Sequence, residues 1–206
     1  MGHITHPTLG SPCALVSPYG ELIVNGSRSI DPTNDSMRII TNEHSKIHQG
    51  EHFNLRGFSS INSGGTLNFG VTTPNGSKWC HLVFTVDGTT QTEVYGYEGA
   101  TLSGGTILSG LNNNRNSPTL PTLQIRRNVV ISGTTPTSGL LIESHSKGRE
   151  GTNPSEADSS SSVSREDEWI LKSGTTYLWT IISQGSGNII DFSSSWYENT
   201  DKLRLF

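Results

Sequence analysis

Apolar residues in this chain recur at every second position over short stretches, and runs of Gly, Pro, Asn and Ser separate those stretches. A period of two puts one face of a strand on a core and the other toward solvent. Thr66 to Val71 alternates, with Leu67 and Phe69 on one face. In Trp79 to Val86, Cys80, Leu82, Phe84 and Val86 share a face, with Trp79 and Val83 opposite, which suits a strand buried on both sides. Asp87-Gly88 then predicts a hairpin to Gln91–Tyr97. Thr122 to Val130 places Leu123, Ile125 and Val129 inward; Arg127 breaks that set and is expected at an edge or an interface. Trp169–Leu171 and Thr175–Ile182 read as a pair around Ser173-Gly174, with Tyr177, Trp179 and Ile181 sharing a face, and Trp196-Tyr197-Glu198 as a short last strand.

The N-terminal part, residues 1–42, is expected to form an extended arm and a hairpin. His6-Pro7 and Ser11-Pro12 favour extended chain, and Cys13–Val16 and Glu21–Val24 flank a Pro/Gly turn. Met37–Ile40 is a further strand candidate. Residues 43–206 carry the main domain. Between Glu143 and Glu166 the one apolar residue larger than Ala is Val163, which predicts a flexible loop over about 143–166. About ten or eleven short strands with turns between them predict an all-β fold, a jelly-roll-like antiparallel β-sandwich. No repeat of fixed period points to a solenoid.

Composition agrees with many short strands. Of 206 residues, 31% are hydrophobic and 16% charged, and 23 are Gly, a profile that favours turns over helices. A core this modest for the length suggests that some apolar surface is buried between subunits. The net charge of −4 shows no basic face for nucleic acid. No apolar run approaches the roughly 20 residues of a membrane helix, and the first residues lack a secretory pattern. Synthesis in a cytoplasm is expected, and with it two small, buried, unpaired thiols, Cys13 and Cys80.

Three of the seven histidines fall at 44, 48 and 52, with Gly50 where the chain has to turn. Four-residue spacing lets imidazoles converge on a metal. A metalloprotease helix needs a Glu directly after the first His; here Ser45 follows His44 and Gln49 follows His48. Neither a nucleophile elbow nor a paired-carboxylate motif is present. The expectation is therefore no enzyme activity, no cofactor and no stoichiometric transition metal, with these histidines bonded to backbone or to a neighbouring subunit. Arg115, in the loop after Asn112-Asn113-Asn114, reads either as a subunit contact or as a solvated cation.

The run His-x-x-Ile-His-x-Gly-x-x-Phe, ending at Phe53, resembles one in small head proteins of tailed bacteriophages. Gly110-Leu111-Asn112-Asn113-Asn114-Arg115, Glu168–Lys172 with Tyr177-Leu178, and Trp196-Tyr197-Glu198 are similar to later pieces of the same family, in the same order. The resemblance covers about Asn42 to Asn199. It implies a virion protein made in the host cytoplasm: a decoration or cement protein on the capsid exterior, bound to the major capsid protein and assembled as a homo-oligomer, a trimer by analogy. His44, His48, His52, Phe53, Asn112, Arg115 and Arg127 are then the candidate contacts to capsid or subunit. The alternative is a carbohydrate- or receptor-binding β-sandwich of a phage tail, using Trp79, Tyr95, Tyr97, Trp179, Trp196 and Tyr197 to stack on sugar rings; the same aromatics also suit core packing.

Overall fold

Strand β4 (His52–Ile61) enters the main domain from helix α1 (Asn42–Gln49), and every strand pairing that follows is antiparallel. The computed structural model describes residues 2–5, 12–16, 22–23, 42–132, 138–147 and 168–200. The chain divides into two compact units, Met1–Asn42 and Glu43–Phe206. In the first, β1 (Gly2–Thr5), β2 (Pro12–Val16) and β3 (Leu22–Ile23) form one antiparallel sheet in that order. The expected hairpin is β2–β3, and the expected arm contributes β1 as a third strand. Met37–Ile40 lies outside the described residues.

The second unit holds β5 (Thr66–Thr72), β6 (Trp79–Gly88), β7 (Thr92–Glu98), β8 (Leu102–Ser103), β9 (Thr106–Leu108), β10 (Leu111–Asn112), β11 (Gln124–Arg127), β12 (Val130–Ile131), β13 (Leu140–Lys147), β14 (Trp169–Leu171), β15 (Thr176–Ser183) and β16 (Asn188–Asn199). One sheet runs β10-β4-β16-β6-β14 and the other β13-β7-β15-β5-β11-β9. Setting aside the short strands β8 to β12, the first sheet takes the first, last, third and sixth of the remaining eight. The second takes the fifth, fourth, seventh and second. That order is the jelly roll.

The core forms because the alternating apolar positions of both sheets face each other. Leu67, Phe69, Val71, Val94, Ile125, Tyr177, Trp179 and Ile181 meet Phe53, Cys80, Leu82, Val86, Ile190, Phe192 and Trp196. A second, smaller cluster covers the outer face of the second sheet, where Ala100, Val129 and Leu178 pack with Tyr97 and Leu102. Gly70 permits that layer, since a Cβ there would sit 3.0 Å from both Leu102 and Val129.

Four expectations change. Asp87-Gly88 does not close a hairpin, because β6 pairs with β14 and β16 while β7 pairs with β13 and β15 in the opposite sheet. Ser173-Gly174 likewise carries the chain between sheets, from β14 to β15. Turn chemistry is local and serves a crossing between sheets as well as a hairpin. Residues 143–147 are not loop: they belong to β13, whose Glu143 is opposite Gly96 and whose Ser144 is opposite Tyr95, while residues 148–166 lie outside the described residues. Finally, Trp196–Glu198 is the end of the long strand β16, central in its sheet.

Candidate functional site

Helix α1 carries Glu43 in its first turn and Lys46 and His48 in its last, which suits the helix dipole. It stops at Gly50, whose φ of 72° is left-handed. Gly50 N–H donates to Ile47 O and Glu51 N–H to Lys46 O, both at 3.0 Å. These two bonds form a Schellman cap, which closes the last carbonyls of the helix. The buried Lys46 ammonium donates to Gln49 and Glu51 at 3.0 Å.

The cap hands the chain to β4, and this separates the three histidines. His44 and His48 stay exposed on α1, with Nε2 atoms 2.9 Å apart. His52 is buried in the sheet. Its Nδ1 lies 2.7 Å from Asn113 Nδ2, and its Nε2 lies 3.1 Å from Glu43 Oε1 and 3.2 Å from Ser195 Oγ. Asn113 Oδ1 accepts from Asn54, so its amide N–H₂ is the group facing His52. A proton on Nε2 suits the Glu43 carboxylate, which can only accept there. Ser195 Oγ shares that nitrogen with the Glu43 carboxylate. Among the described residues, no group of three or more His, Cys, Asp or Glu side chains is placed to hold a metal ion.

The Asn run docks on this corner. Asn112 Nδ2 donates to Gly50 O at 2.9 Å and Thr119 O at 3.1 Å, and its Oδ1 accepts from Asn114 N–H at 2.9 Å. Asn114 Nδ2 donates to His48 O at 3.1 Å. The end of β16 completes the assembly. Trp196 stacks on Phe53 with ring centroids 5.7 Å apart. The buried Glu198 carboxylate accepts from Thr122 N–H and Leu123 N–H at 2.8 Å and from the Trp196 indole at 3.2 Å, and Thr122 Oγ1 donates as well. Charge-assisted bonds of this kind offset the cost of burying a carboxylate.

On the other face of that sheet, Tyr197 lies between His52 and His81 in register. His81 Nδ1 is 2.7 Å from Glu168 Oε1, and the Tyr197 hydroxyl is 3.0 Å from both. Sequence reasoning missed His81 and its link to Glu168. The signal was a histidine between Trp79 and Val83 on a strand read as buried on both sides.

The sequence candidates therefore divide. Phe53 and Asn112 are buried, Phe53 against Trp196 and Asn112 on the carbonyls of Gly50 and Thr119. His52 is buried too, whereas His44, His48 and Arg115 are exposed. Arg127 is half-buried on β11, which pairs with β5 on one side and β9 on the other, so it is not on an edge strand. Of the aromatics, Trp179, Trp196 and Tyr197 are buried, which leaves Trp79, Tyr95 and Tyr97 at the surface or half-buried.

Each outermost strand of the two sheets carries an exposed large aliphatic side chain. These are Leu111 on β10, Ile170 on β14, Ile107 on β9, and Leu140 with Leu141 on β13. Edge strands usually carry charges or Pro that block further pairing. The chain matches no protein-family model, and neither a curated protein nor a solved structure matches it.

Proposed function

We propose that the chain is a non-enzymatic structural protein of a tailed-bacteriophage virion. In this reading it binds the major capsid protein on the outside of the head, assembles as a homotrimer and stabilises the mature shell as a decoration or cement protein. The observation that carries the reading is the exposed aliphatic side chain on all four sheet edges. Exposed apolar edges favour association, because burying them removes apolar surface from water and satisfies open backbone groups. Two further features support it. The four segments behind the head-protein resemblance, far apart in sequence, pack around one corner of the sandwich. The buried histidines and Glu198 there are engaged in internal bonds, as suits a rigid scaffold.

Stabilisation would act by mass action, since a ligand that binds only the assembled shell shifts the equilibrium toward it. A trimer bridging several capsid subunits needs only weak contacts from each copy, because the later contacts form at high effective concentration.

The test is add-back to expanded heads that lack this protein. Wild-type protein is expected to bind and to raise the temperature of DNA release. Leu140→Lys and Ile170→Lys are expected to fold but to bind more weakly. Binding to tail tips or host glycans instead of heads would favour the carbohydrate- or receptor-binding reading, which rests on Trp79, Tyr95 and Tyr97.

A further inference from the structure

We propose that His44 and His48 form a two-nitrogen chelate for a divalent transition cation, selective for Cu²⁺ and Ni²⁺ over Zn²⁺. This inference is independent of the capsid reading. It differs from a metal centre built on all three histidines, because His52 is turned into the sheet and engaged by Asn113, Glu43 and Ser195. What remains is a pair one helical turn apart, exposed, with ring centroids 4.7 Å and Nε2 atoms 2.9 Å apart.

The span selects the metal. With metal–nitrogen bonds of about 2.0–2.1 Å, two nitrogens at a right angle lie about 2.9 Å apart, and at the tetrahedral angle about 3.3 Å. The pair therefore matches the cis edge of a square or octahedral sphere, the geometry of Cu²⁺ and Ni²⁺ sites. An N–H···N bond holds the same span without metal, so little rearrangement is needed. The helix is also held in place: Gly50 caps it, and Asn114 bonds to the carbonyl of His48 itself. A chelate of two imidazoles holds an exchangeable ion that a stronger chelator removes.

The experiment titrates CuCl₂, NiCl₂ and ZnCl₂ into the chelator-washed full-length chain, read by calorimetry and by electron paramagnetic resonance of the Cu²⁺ form. One Cu²⁺ per chain with two imidazole nitrogens is expected, with affinity falling in the order Cu²⁺, Ni²⁺, Zn²⁺. His44→Gln or His48→Gln is expected to weaken it about tenfold or more, since either change removes one arm of the chelate. His3→Gln with His6→Gln, or His145→Gln, is expected to leave it unchanged. A Cu²⁺ spectrum with a single imidazole nitrogen, retention of affinity in the His44 or His48 variants, or loss in the His3/His6 or His145 variants would overturn the assignment. A two-nitrogen wild-type spectrum that persists in the His3/His6 and His145 variants decides the matter even if a His44 or His48 variant misfolds.

Discussion

Gly110 lies flat against the indole of Trp196: a Cβ there would sit 2.4 Å from Cη2 and 2.8 Å from Cζ2. The glycine that opens the Asn loop is thus required by the tryptophan near the end of β16. Gly110→Ala is expected to cost roughly 1–3 kcal/mol by overpacking. Adding Trp196→Phe removes the crowding ring, so the double variant should lose less than the sum of the two single changes. A double-mutant cycle by urea unfolding measures that coupling.

Glu198 holds the start of the β11 segment through two backbone N–H groups. Glu198→Ala leaves Thr122 N–H, Leu123 N–H and the Trp196 indole without this acceptor. A loss on the order of 3 kcal/mol is expected, with Glu198→Gln losing less because one acceptor oxygen remains. Chemical denaturation of both variants checks the order.

Acid stability is set in part by Glu143 and Glu98. Burial raises the Glu143 carboxyl, but hydrogen bonds from His145 and Trp179 outweigh it and hold it below its ordinary value. A hydrogen bond from Lys172, joined by one from Tyr177, holds Glu98 low against burial. A carboxyl lowered on folding contributes stability that is complete above its unfolded value and is lost as pH falls through its folded value. Stability is expected to hold from neutral pH to about 4.5 and to fall below that. Glu143→Gln should flatten this acid limb in a series of melts.

Cys80 is free and buried, and burial, with the Glu198 charge, pushes its thiol up to about 12. The thiolate is the reactive form. Cys80 is expected to resist a thiol reagent at pH 8 in the native fold and to react once the chain is unfolded. Peptide mapping after labelling distinguishes it from Cys13. Fast native labelling of Cys80 would show that the strand opens readily.

Much of the core was legible in the residues themselves. Leu67 and Phe69, Leu82, Ile125, and Tyr177 with Trp179 are buried as their alternation predicts. Gly50 turns the chain as read. The length of β16 was not legible, because Ser193, Ser194 and Ser195 interrupt the apolar pattern; β4 and β6 on either side complete the ladder regardless of those side chains. Arg127 could not be placed either, since its second neighbour, β9, comes from a distant turn-rich segment.

The sequence by itself determined which side of each main strand faces the core, because side-chain alternation is a property of one extended backbone. It also determined that the fold would be all-β, because Gly, Ser, Thr and Asn disfavour long helices. Only the tertiary structure decided that β6 and β7 belong to different sheets, and that His52, Tyr197 and His81 line up across three strands while His44 and His48 remain on the surface. Strand partners are fixed by closing two sheets over one core, a long-range condition, and no local turn or histidine spacing carries that information.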